Sequence, residues 1–95
     1  MSNERIQVGD VVKHFKREFV PDSSSEYLYR VIAFAQHSET GERLVIYQGI
    51  YSPYKVCARP YEMFMSEVDR DKYPGVKQFY RFETINVNES VSSFV

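Results

Sequence analysis

The chain has 95 residues, 43% of them hydrophobic, with 12 Lys plus Arg against 13 Asp plus Glu and a formal net charge of -1. That length implies one domain with a thin stability margin, and that hydrophobic content excludes an intrinsically disordered chain. The interleaved charges argue against a generic nucleic-acid binder, which needs clustered cations to displace phosphate counterions.

Taken in chain order, the first segment has no apolar stretch of the kind a signal peptide carries. Ile6 and Val8 alternate, Gly9-Asp10 reads as a turn, and residues 11–16 read as a strand. The densest basic run, Lys13-His14-Phe15-Lys16-Arg17, leads straight into Glu18. Residues 17–26 hold Pro21, Asp22 and three serines, the composition of a mobile loop with no helix or strand pattern. Residues 27–37 form the longest strand candidate, and residues 43–51 the next. Residues 54–59 make a short strand. Pro60 then suits the first turn of a helix, where its missing N–H costs nothing. Tyr61, Phe64, Met65 and Val68 fall at helical spacing, which predicts a short helix over 60–66. Pro74-Gly75 suits a type II turn, and residues 77–87 read as the last strand. The 8 Tyr and 7 Phe, with no Trp, fit the half-buried surface of a sheet. The expected layout is one domain over 1–87 with a C-terminal tail over 88–95.

Ser38-Glu39-Thr40-Gly41 predicts a hairpin with a three-residue loop and Gly41 in the left-handed conformation. That loop length sets a register in which His37 faces Arg43, Ala35 faces Val45, Phe34 faces Ile46 and Ala33 faces Tyr47. By strand alternation Leu28, Ile32, Phe34, Leu44 and Ile46 then form the core face. Tyr29, His37, Arg43, Val45 and Tyr47 fall on the other, part-polar face.

The motifs His14-Phe15, His37-Ser38-Glu39-Thr40, Val45-Ile46-Tyr47, Ile50-Tyr51, Arg59-Pro60-Tyr61-Glu62-Met63-Phe64 and Arg81-Phe82, in this order and spacing, resemble the small bacterial domain of unknown function 1653 family. The resemblance runs from about residue 11 to 83. It departs at Cys57, where many relatives carry Trp, and at residues 17–26, which look like an extension. It implies an all-β fold, a small SH3-like barrel, and implies no activity.

For chemistry, Cys57, His14, His37 and Glu39 offer metal-ligating atoms, but no CxxC or HExxH spacing joins them, so no metal and no cofactor are expected. An enzyme reading pairs His37 with Glu39 or Cys57; no nucleophile elbow or glycine-rich phosphate loop accompanies it. Arg59 stands at a strand-to-helix junction, and its fork suits carboxylate or phosphate; the plainer expectation is a staple to Glu62 or Glu39. The candidate binding residues are therefore His37, Glu39, Arg43, Tyr47, Tyr51, Arg59 and Glu62. They predict a shallow polar and aromatic groove on a small binding or adaptor module for a peptide, an anionic small ligand or RNA. A third reading is a structural protein acting through a tyrosine-lined interface, as a monomer or weak homodimer. A lone Cys57 and a longest aliphatic run of Leu44-Val45-Ile46 argue for a cytoplasmic protein with no membrane partner.

Overall fold

The computed structural model describes residues 5–85. Five strands, β1 (Val11–His14), β2 (Leu28–Gln36), β3 (Arg43–Gly49), β4 (Val56–Pro60) and β5 (Phe82–Thr84), form one antiparallel sheet in the order β4-β3-β2-β1-β5. A single helical turn, α1 (Tyr61–Phe64), follows β4, so the fold is mainly β. The sheet does not close into the expected barrel: β4 and β5 are its two ends. The predicted tail over 88–95 lies outside the described residues, and no helix among the described residues is long and apolar enough to cross a membrane.

The β2–β3 hairpin differs from the expected register by one residue. His37 pairs with Glu42, its N–H donating to the Glu42 carbonyl at 2.8 Å, and Gly41 N–H donates to the His37 carbonyl at 2.9 Å. The loop therefore holds four residues, with Gly41 at φ +77°. Polar side chains stabilise the longer loop. His37 Nδ1 accepts from the Glu39 and Thr40 amides at 3.1 and 3.2 Å, and Thr40 Oγ1 accepts from Glu42 N–H at 3.2 Å. Gln36 thus faces Arg43, Ala35 faces Leu44 and Phe34 faces Val45.

A one-residue slip moves every side chain to the opposite face. Val45 (0% exposed) and Tyr47 are buried, whereas Ile46 and Leu44 are only half-buried and Ile32 is 41% exposed. Ile32 is also the extra residue of a bulge, since Val31 pairs with Tyr47 and Ala33 with Ile46. The bulge returns Phe34 to the face of Val31, so Phe34 alone of the predicted core set packs against the main core. That core contains Ile6, Val12, Val31, Val45, Tyr47, Phe64 and Phe82. Phe64 stacks on Phe82 with ring centroids 4.0 Å apart, and Tyr47 meets both rings edge-on.

Helix α1 is shorter than the predicted 60–66. Ser66 ends it by donating its hydroxyl to the Met63 carbonyl at 2.6 Å, and Arg81 N–H takes the Ser66 carbonyl at 2.8 Å. The chain then runs extended to the isolated bridge between Glu67 and Tyr80. Of the predicted last strand, 77–87, only β5 pairs with β1: the Lys77 and Gln78 amides go to Glu18 instead, and residues 86–87 lie outside the described residues.

A 3-10 turn occupies Phe15–Phe19, inside part of the segment whose composition suggested no helix. His14 starts it: its Nδ1 accepts Lys16 N–H at 3.1 Å. Phe15, Val68 and Val76 form a second small core, with Tyr73 packed against it. Glu18 ties the turn to distant chain, accepting Lys77 N–H on both carboxylate oxygens and Gln78 N–H at 2.7 Å. Asp69 Oδ1 caps the Asp71 and Lys72 amides, and the Arg70 guanidinium donates to the Val76 and Gln78 carbonyls. These bonds hold residues 69–78 in place against the 3-10 turn.

Candidate functional site

Between the 3-10 turn, the end of β4 and the 69–73 loop lies a cavity of about 300 Å³, lined by His14, Phe15, Lys16, Arg59, Asp69, Lys72, Tyr73 and Arg81. Four separate segments supply these side chains. His14 ends β1 and pairs with Phe82 on β5. Arg59 pairs with Val45 and therefore shares the core-facing side of the sheet. Its Nε donates to the Tyr47 hydroxyl at 3.3 Å, and its guanidinium carbon lies 5.8 Å from the Phe82 ring centroid. Arg81 Nε donates to Ser66 Oγ at 3.2 Å. Lys16 and Lys72 place their ammonium groups 6.0 and 5.7 Å from the centroid of Tyr73.

The cavity wall is rich in donors and poor in acceptors. Four cations line it against one carboxylate, Asp69, which already caps a turn. Among the described residues none of the four cations bonds to a carboxylate, and the terminal nitrogens of Arg59 and Arg81 bond to no protein atom. His14 adds a fifth donor. Its Nδ1 accepts a backbone N–H, so the neutral imidazole carries its proton on Nε2. Among the described residues Nε2 has no hydrogen-bond partner, and the ring lines the cavity. Burial lowers the His14 pKa to about 4, with Arg59, Arg81 and Lys16 repelling a further positive charge. The ring is held by Phe15, Tyr27 and Phe82, whose centroids lie 4.4, 5.9 and 5.0 Å away.

The residues expected to share a groove lie in four places. Tyr47 and Arg59 meet at the core side of the cavity. Tyr51 lies beside Tyr29, their hydroxyls 2.8 Å apart, and its ring is 6.4 Å from Tyr27, the neighbour of His14. Burial and that hydrogen bond push the Tyr29 phenol well above its ordinary pKa. His37 and Glu39 belong to the hairpin loop, where His37 caps backbone amides. Arg43 lies over Tyr61, 3.9 Å from its centroid, and Glu62 is exposed on α1. Arg59 staples neither Glu62 nor Glu39; its partners are a phenol and an aromatic face. Cys57 packs, half-buried, against the main core, and among the described residues no three His, Cys, Asp or Glu side chains gather as a metal site would need.

Lys16, Lys72, Tyr73, Arg81 and the role of His14 were missed by reasoning from sequence. The one local signal was the basic run 13–17. The remaining cations are dispersed along the chain, and folding alone assembles them. No curated protein and no solved structure matches the chain. A family model described as "Protein of unknown function (DUF1653)" matches residues 10–84, and the chain belongs to that family.

Proposed function

We propose that this chain is a small binding module whose ligand carries an oxyanion, seated in the cavity between His14, Arg59 and Arg81. The observation that carries this reading is the excess of cationic donors over acceptors in one concave site, with no carboxylate bonded to any of them among the described residues. Like charges gathered in a small volume destabilise the free protein, and a bound anion removes that cost. Two guanidinium groups and a neutral imidazole N–H suit phosphate or carboxylate oxygens. The order of the five strands, the bulge in β2 and the helical turn before β5 support an SH3-like kinship, and the single cysteine supports a reducing, cytoplasmic setting.

Titration of the whole chain with inorganic phosphate, followed by amide NMR, tests the reading. Amides of His14, Lys16, Arg59, Tyr73 and Arg81 shift saturably, and more weakly as salt rises. Arg59→Gln with Arg81→Gln weakens binding at least tenfold. Shifts elsewhere, or shifts that never saturate, overturn it.

A further inference from the structure

The cavity continues into an aromatic surface that anion binding alone does not use. Tyr73 lines the site half-exposed and stands edge-on to Phe15, centroids 4.8 Å apart. Phe19, 61% exposed, lies 6.4 Å from Tyr73 at a 36° tilt. Because Asp69, Arg70 and Glu18 bind the backbone on either side, Tyr73 is a positioned ring. The cations next along the chain from the cavity turn elsewhere. Arg17, next along the 3-10 turn, spends its guanidinium on the Glu26 and Asp22 carbonyls. Lys13 faces Glu18 and Glu83 on another surface. Among the described residues these neighbouring cations form no track leading from the pocket, as a nucleic-acid backbone requires. A concentrated site of four cations and one carboxylate suits a doubly charged terminal phosphate better than a singly charged carboxylate or phosphodiester.

We propose that the oxyanion is the terminal phosphate of a nucleoside 5′-phosphate, bound by Arg59, Arg81 and the His14 Nε2–H, with the base resting on Tyr73 beside Phe19. This rests on the anion-binding reading above. Lys16 on the 3-10 turn and Lys72, immediately before Tyr73, both lie near its ring and meet the phosphate at the cavity mouth. The polar contacts fix the phosphate, and the ring supplies stacking that tolerates different bases, because every base has a π-face.

The experiment is calorimetric titration of the whole chain with inorganic phosphate, ribose 5-phosphate, nucleoside 5′-monophosphates, a nucleoside lacking phosphate and phosphotyrosine, on wild type and Tyr73→Leu. The expected result is that nucleotides bind about 5- to 30-fold more tightly than ribose 5-phosphate, a gain at the lower end of what base stacking supplies. Tyr73→Leu removes that gain, so that nucleotides and ribose 5-phosphate bind it equally, and a dispersed amide NMR spectrum shows that the variant is folded. The nucleoside alone binds too weakly to measure. Nucleotides no tighter than ribose 5-phosphate overturn the nucleotide assignment and leave the anion site standing. Phosphotyrosine as tight as the nucleotides overturns it in favour of a phosphorylated peptide. Absence of binding by every phosphate overturns the anion reading and this inference with it.

Discussion

Acid should weaken this fold through His14 before it reaches the carboxylates. The imidazole is 9% exposed, accepts Lys16 N–H on Nδ1, and faces Arg59, Arg81, Lys16, Lys72 and Asp69 around the cavity. Folding lowers its pKa from 6.5 to about 4, first by burial and then by repulsion from Arg59, Arg81 and Lys16. The unfolded chain therefore binds the proton first. Stability from the neutral ring is complete above about pH 6.5 and is lost as pH falls from there towards 4. One proton sets a ceiling of about 1.4 kcal/mol per pH unit. Screening by solvent at a cavity open to the surface brings the total loss to about 1–2 kcal/mol. For a domain of this size that is a fall in Tm of about 4–16 °C. Thermal unfolding at pH 7.5, 6.5, 5.5 and 4.8 reads it, with His14→Asn as the control, because an amide oxygen can replace Nδ1 as acceptor without titrating. Wild type should fall more steeply than His14→Asn across this range. Parallel falls would refute the assignment of a destabilising proton to His14. Glu18 titrates in a lower window: backbone hydrogen bonds from Lys77 and Gln78 lower its pKa from 4.5, so its contribution is lost only below that value.

Three further outcomes follow from the packing. Val45→Thr buries a hydroxyl in a fully enclosed site and should cost about 1–3 kcal/mol, whereas Ile46→Thr keeps a β-branched residue on a half-exposed face and should cost under about 1 kcal/mol; urea unfolding with the costs reversed would support the three-residue loop. Tyr51→Phe removes the hydroxyl pairing with Tyr29 and should lower stability by about 0.5–1.5 kcal/mol, and an unchanged urea midpoint would rule out a net contribution from that bond. Glu18→Gln should speed amide hydrogen exchange at Lys77 and Gln78 while leaving the β2–β3 hairpin protected; uniform acceleration would mean that Glu18 supports the whole fold rather than one turn.

The strands were legible in the sequence because β-branched and aromatic runs were separated by Gly, Pro, Ser and Asp. The main registers were not. Gly41 marked the hairpin correctly, but His37 reads as a spare polar residue until its imidazole is seen to cap the loop amides, and that capping accompanies the added loop residue. Ile32 then compounded the error, since a bulge breaks alternation without leaving a glycine or proline to announce it. Tyr47, assigned to a binding face, lies in the core with its hydroxyl turned to Arg59. Arg59 was singled out because it precedes a helix, yet α1 is a single turn. What makes the residue distinctive is its place on the core-facing side of β4, opposite Val45. The partners that complete its site come from the 3-10 turn, the 69–73 loop and the start of β5. Only tertiary structure brings them together, so no spacing rule exposes them.

The most direct test of the anion site is the pKa of the His14 imidazole, read by NMR with and without saturating inorganic phosphate. Burial and three neighbouring cations hold it near 4 in the free protein. A phosphate seated among those cations should raise it by about one unit or more. A His14 pKa that does not move when phosphate is added would contradict a ligand bound beside Arg59 and Arg81.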